Sequence, residues 1–300
     1  MKKTTKLRQL LAAEAPILAP CAYNAMTARL VEMAGFPLAG ATGNGIHGDY
    51  LGTPDNGLMT MTEMAGVYHR MCGAVEIPIM ADAEAGYGNA LNVRRTVQEF
   101  EQAGLAGIFI EDQQLPTNCP FIQEPKLVSV EEMCGKIQAA AAARQDPDFV
   151  ICARSDAPFG EAVERAQAYL EAGADMIKIV PKTRQELEEV PKRVQAPLHV
   201  GFISRKPMYE GLTALDLGKM GYKIITFPQL LYYTAIKAQL EALGILRETS
   251  SDQALAERMI DMDFYLQVVQ SEKYQAWQKK LYQGIGPIKN LLRFTHRRFF

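Results

Sequence analysis

The 300-residue chain has no surplus of either charge: 32 Lys and Arg stand against 34 Asp and Glu, for a net charge of −2. A dedicated nucleic-acid binder carries a basic excess, so that class is excluded. Long apolar runs are missing too. No stretch approaches the ~20 residues of a membrane span, and no membrane partner is expected. Cysteine is sparse and unpatterned. Cys21, Cys72, Cys119, Cys134 and Cys152 are odd in number and contain no C-x-x-C pair, which argues against a disulfide framework and a structural zinc site. The opening lysines resemble a signal peptide, but Glu14 and Pro16 interrupt the apolar stretch behind them. A soluble, cytoplasmic protein with reduced thiols is the expectation. With 48% apolar residues, the chain is too apolar for a disordered protein and can build a large core.

One pattern repeats: a short β-rich apolar run, a polar or glycine-rich loop, then a helical segment. Eight candidate strands stand out, at 17–23, 37–43, 77–84, 107–113, 149–157, 176–181, 198–204 and 223–228. The segments between them carry helical spacing: Val93, Val97 and Phe100 in one, Val163, Ala166 and Leu170 in another. The stretch 230–243 is apolar enough to be buried nearly all round. Gly35, Gly104, Gly173 and Gly221 each come just after a helical segment, where glycine accepts a left-handed closing conformation. Eight strands alternating with helices imply a parallel sheet. At this length a closed (β/α)8 TIM barrel is the expected α/β fold, with an open doubly wound sheet as the alternative. The barrel is expected over residues 1–245. Residues 246–300 form a helical extension: 255–282 reads as one helix, Gly284–Pro287 breaks it, and a tail bears Arg293, His296, Arg297 and Arg298.

In such a barrel the chemistry sits at the carboxyl ends of the strands. The second candidate strand ends in Thr42-Gly43-Asn44-Gly45-Ile46-His47-Gly48, which matches G-x-G-x-x-G. The dinucleotide fingerprint must open a helix. The residues after this match read as loop, with His47 a loop residue, so these glycines read instead as a backbone cradle for an anionic oxygen. The third strand delivers Asp82 and Glu84, which period-2 alternation points to one side, and the fourth delivers Glu111 and Asp112. Like charges ~4 Å apart repel by several kcal/mol at intermediate dielectric. A divalent cation resolves the conflict, and all-oxygen ligands favour Mg²⁺, with Mn²⁺ next. Arg154, inside the fifth strand, either pairs with these carboxylates or clamps a substrate carboxylate. The segment 114–121 reads as a lid, and places Cys119 as a candidate acid or nucleophile.

The strings Asp82–Asn89, Ile110–Gln113 and Ala153–Ala157, with Leu51–Asp55 and Met59–Glu63, resemble the isocitrate lyase/phosphoenolpyruvate mutase superfamily over about residues 7–282. The resemblance implies a barrel enzyme that uses Mg²⁺ and an enolate-forming carboxylate substrate. It implies Asp82, Glu84 and Glu111 as metal-site carboxylates, and Thr42, Gly43, Asn44, Asp55, Asn118 and Arg154 as substrate-binding residues. Cys119, Arg154 and Glu111 are the implied catalytic residues. It also implies a homo-oligomer, a dimer or tetramer, in which the C-terminal helix packs on a neighbouring subunit. Three departures stand out. The lid reads Thr117-Asn118-Cys119-Pro120-Phe121, so Cys119 lacks the basic neighbours that would acidify it. Glu84 stands where aspartate is usual. Lys178 precedes Val180, where the family offers Glu or His, and either replaces a missing charge or is a partnered core lysine.

The expected activity is Mg²⁺-dependent carbon–carbon cleavage, by retro-aldol or Claisen chemistry or by decarboxylation, of a 2-hydroxy or 2-oxo di- or tricarboxylic acid. Phosphonate (C–P) mutase or hydrolase chemistry is one alternative. A non-catalytic descendant that binds carboxylates is the other.

Overall fold

The computed structural model describes residues 1–119 and 124–283. Pro120 and Phe121 of the expected lid, and the expected break and basic tail from residue 284 on, lie outside the described residues. Eight parallel strands close into a barrel in sequence order: β1 (Ile17–Ala22), β2 (Ala39–Ala41), β3 (Ile79–Asp82), β4 (Gly107–Glu111), β5 (Val150–Ser155), β6 (Met176–Ile179), β7 (Leu198–Gly201) and β8 (Tyr222–Phe227). The open-sheet alternative is thereby excluded, since β1 pairs with β8.

Alternation along each strand sorts the side chains. One set faces the barrel axis: Ile17 and Ala19, Met80, Phe109, Val150 and Cys152, Met176 and Ile224 form a single buried cluster. The N-terminal helix α1 (Lys3–Ala12) joins this cluster through Leu7, which is fully buried. The other set packs outward against the helices α2 (Ala25–Met33), α3 (Gly43–Leu51), α4 (Met61–Ala74), α5 (Ala90–Gln102), α6 (Val130–Ala143), α7 (Phe159–Glu171), α8 (Arg184–Arg193) and α9 (Ala214–Met220). Val93, Val97 and Phe100 are the buried stripe of α5, as their spacing predicts. Gly35, Gly104, Gly173 and Gly221 all take positive φ.

Four expectations change. The stripe of α7 is centred on Ala162, Arg165, Ala166 and Tyr169. Val163 and Leu170 are its half-buried flanks, because Arg165 and Tyr169 are drawn inward by Asp112. Residues 43–51 form a helix rather than a loop. Their glycines lower helix propensity, but a Cβ on Gly45 would stand 2.9 Å from Tyr23 Cβ and from Thr42 Cγ2. Close packing, not flexibility, requires glycine there. Finally, α10 (Leu230–Thr249) has no buried residue within the chain. Its apolar residues stay partly exposed among the described residues, because apolar density alone does not fix what covers a helix.

The chain divides into two compact units, Met1–Glu241 and Ala242–Phe300. In the second, residues 255–282 are not one helix. A 3-10 turn (Gln253–Arg258), α11 (Met262–Val268) and α12 (Ser271–Gln283) are separated by an Asp261 cap and by Gln270 at φ 54°. Among the described residues no helix is long and apolar enough to cross a membrane.

Candidate active site

A cavity of about 290 Å³ opens at the carboxyl ends of the strands. It is lined by all ten of the residues expected to carry function: Thr42, Gly43, Asn44, Asp55, Asp82, Glu84, Glu111, Asn118, Cys119 and Arg154.

The first wall comes from β2 and α3. Thr42 is the N-cap of α3 but makes no side-chain cap bond. The first-turn amides of α3, beginning at Gly43, have no carbonyl of their own helix to meet, and the helix dipole leaves them partly positive. A methyl group on Gly43 would stand 3.1 Å from Asp55 Oδ2 and 3.3 Å from Asp82 Oδ2. The helix start and two carboxylates therefore close on one small space.

Asp82 ends β3, with its carbonyl held by the Tyr68 hydroxyl at 2.7 Å. Glu84 lies beyond the strand at φ 49°, in the left-handed region. A turn, rather than the pleat, brings the two side chains together, and the Glu84 amide donates to Asp82 Oδ1 at 2.9 Å. Such a backbone costs about 1 kcal/mol or more in a non-glycine residue, and strain of this kind gathers at functional sites. Glu84 Oε2 accepts from the Thr117 hydroxyl at 2.5 Å, while Oε1 is buried with no partner among the described residues.

The acids disturb one another. Burial, then the Asp82 charge, pushes Asp55 up to about 6. Burial, with Asp82 and Asp55, holds Glu84 well above the usual carboxylate range. Burial does the same to Glu111, against the opposing pull of Arg154. A set of buried acids that cannot all ionise together is what a divalent cation relieves. Atoms of His47, Asp55 and Glu84 lie within 4.8 Å of one another. His47, however, is fully engaged. Nε2 accepts from the Met59 amide at 3.4 Å, which puts the proton on Nδ1, 3.0 Å from Gly43 O and 3.4 Å from Asp55 Oδ1. It braces Asp55 and has no lone pair to spare. The oxygen donors Asp55, Asp82 and Glu84, with the orphaned Glu84 Oε1, fit a hard cation.

Glu111 is placed differently from its two expected companions. Its Oε2 pairs with Arg154 Nη1 at 2.7 Å. Arg154 Nε and Nη2 bond Asp156 at 3.1 and 3.0 Å. These bonds leave one N–H on each terminal nitrogen, and Arg154 lines the cavity. Asp156 also accepts from Gln113 at 2.7 Å, and Gln113 Oε1 accepts the Asn118 amide at 2.8 Å. The arginine is thus linked to the base of the lid segment.

Three further residues complete the site. Thr117 is the hydrogen-bond partner of Glu84. Lys178, on β6, lines the cavity with Nζ 4.0 Å from the Phe109 ring centre. His199, on β7, lines it too, and its signal in the sequence was a polar residue at an inward position of an apolar strand.

The profile of the phosphoenolpyruvate phosphomutase family matches residues 7–246. The chain belongs to the isocitrate lyase/phosphoenolpyruvate mutase superfamily. Within this superfamily it is 37% identical to 2,3-dimethylmalate lyase of Eubacterium barkeri over 280 residues, 91% of this chain and 96% of that one. It is 42% identical to oxaloacetate decarboxylase of Rhodopseudomonas palustris over 200 residues, 65% and 69% of the two chains. Among solved superfamily structures, phosphonopyruvate hydrolase in complex with oxalate and Mg²⁺ superposes with a TM-score of 0.84 at 31% identity, covering 92% of this chain and 98% of that one.

Proposed function

We propose that the protein is a Mg²⁺-dependent carbon–carbon lyase acting on a 2-hydroxy or 2-oxo di- or tricarboxylic acid. One observation carries this reading: Asp55, Asp82 and Glu84 converge beside the amide end of α3, with a buried carboxylate oxygen of Glu84 left unpartnered. Asp55, Asp82 and Glu84 would hold the ion, which when bound supplies a fixed positive charge for an enolate oxygen. The α3 amides hold the carboxylate of the reacting end, preorganised and shielded from water. Arg154 directs its two remaining N–H groups at a substrate carboxylate and keeps Glu111 in place at the cavity wall. Cys119, on the lid, hands a proton to the departing carbanion. The relatives named dimethylmalate lyase and oxaloacetate decarboxylase support the reaction class. The match to the phosphomutase family favours C–P bond chemistry as a second reading. The exposed apolar residues of α10 to α12 support a homo-oligomer.

Calorimetry with Mg²⁺ and oxalate, an enolate mimic, tests the site. Binding should require Mg²⁺ and vanish in Asp82→Ala; binding indifferent to either rejects the reading. A screen of 2-oxo acids, 2-hydroxy acids and phosphonates for pyruvate, glyoxylate or CO₂ release then separates the two chemistries. Within the lyase reading, Cys119→Ser should collapse turnover of a retro-aldol substrate. Near-normal turnover would remove Cys119 as the acid and leave decarboxylation.

A further inference from the structure

β6 and β7 stand across the barrel from β2 and β3. Strand register carries one polar row along the wall that leads there. Glu111 of β4 is level with Arg154 of β5, and Arg154 is level with Lys178 of β6. Met176, two residues before Lys178, belongs to the axial cluster, so alternation sends Lys178 inward as well. The first two members of the row satisfy each other: Arg154 pairs with Glu111, and with Asp156. Lys178 has no ion pair or hydrogen bond among the described residues, and its near neighbour is the Phe109 ring. Apolar Met80, Ile179, Val180 and Ile203 line the cavity with it. Burial, then the Arg154 charge, lowers the Lys178 ammonium below its ordinary value, against the pull of Asp82 and Asp156. An amine desolvated in an apolar wall beside a second cation is the setting in which lysine attacks carbonyl carbon.

We propose that Lys178 Nζ forms an imine with the C2 carbonyl of a 2-oxo acid, an activity of this cavity separate from the metal-dependent cleavage. Arg154, beside it in register, anchors the C1 carboxylate, one bond from the carbon under attack. The nitrogen lone pair forms the C–N bond, and the carbonyl π pair moves to oxygen. One proton passes from nitrogen to that oxygen. With a second proton, from solvent, the oxygen leaves as water and a protonated imine remains. The cationic imine draws electrons from C3. Where C3 bears a carboxylate, the bond between them breaks, the bonding pair forms an enamine, and CO₂ departs. Protonation of C3 and addition of water then release the shortened 2-oxo acid and restore the amine. No metal enters any step.

The test traps the imine. Protein in EDTA is incubated with pyruvate and borohydride, and the reduced adduct is located by peptide mass mapping. The wild type should carry a single adduct, on Lys178. The same protein, without borohydride, should speed exchange of the pyruvate C2 oxygen with heavy-oxygen water. Lys178→Arg keeps the positive charge and loses the nucleophile; in it, as in Lys178→Met, the exchange should fall to the uncatalysed rate. Label spread over exposed lysines, or exchange undiminished in either variant, would overturn the imine. Circular dichroism melts separate these results from loss of fold, and the adduct map of the wild type decides the matter even where a variant fails to fold. Mg²⁺-dependent oxalate binding is measured on the same protein. Its absence alongside a Lys178 adduct keeps the imine and removes the metal site; its presence without an adduct does the reverse.

Discussion

At the scale of single residues, the site is a balance between burial and charge. Asp55 is held at about 6, above an ordinary value of 3.8, by burial and by Asp82. Between those values the folded state keeps a proton that the unfolded chain has released. Stability therefore falls as pH rises from about 4 to about 6, and the cost persists above that window. Asp55→Asn removes this contribution. In metal-free protein the variant should gain stability relative to wild type as pH goes from 4 to 7, read as the difference in Tm. A difference that stays constant across that range would mean Asp55 ionises freely. Several site residues were legible in the sequence because a carboxylate or arginine inside an apolar strand needs a reason. Glu84 illustrates the limit. Its side was inferred from pleat alternation, yet β3 stops at Asp82 and a left-handed turn aims the next acid.

At the scale of elements, buried polar contacts fix how strand ends meet helices. Asp112, just past β4, accepts from the Ser155 hydroxyl at 2.7 Å, the Asp156 amide at 3.0 Å and the Tyr169 hydroxyl at 2.9 Å. Arg165 on α7 approaches it at 3.4 Å. These bonds tie β4, β5 and α7 together, and Asp156 in turn holds Arg154. Asp112→Ala would leave the buried Ser155 and Tyr169 hydroxyls without their acceptor, while Arg165 keeps Glu161 at 2.7 Å, at a cost of about 1–3 kcal/mol for each unsatisfied group. We expect a Tm lower by on the order of 10 °C and weakened substrate binding through displaced Arg154. A melt within about 2 °C of wild type would contradict this. The same contacts explain why α7 turns Arg165 inward while Val163 is half-buried. Hydrophobic spacing locates a helix, but a partner on another element decides the last rotation of its face.

At the scale of the whole molecule, the barrel buries its own core, while among the described residues the C-terminal segments leave large apolar side chains exposed. Leu240 and Leu243 of α10 are 64% and 61% exposed, and Phe264 and Trp277 are also exposed. Sedimentation should therefore find more than one chain per particle. Leu243→Asp with Leu246→Asp should shift the population toward single chains. A wild-type protein that sediments as one chain at micromolar concentration would end the oligomer proposal.

The sequence by itself determined a parallel α/β sheet of eight strands, because apolar runs alternating with amphipathic segments must bury both of its faces; the β1–β8 pairing decided that it closes. It also marked Asp82, Glu111 and Arg154 as polar groups at strand ends, but not that a turn aims Glu84 or that Asp112 faces away toward Tyr169. Only the tertiary structure decided that residues 43–51 are helical, that Glu111 belongs to Arg154, and that Lys178 and His199 face the acids from across the barrel. Those facts depend on which side chains meet in the folded chain, and the pattern around a residue does not record its partner on another element.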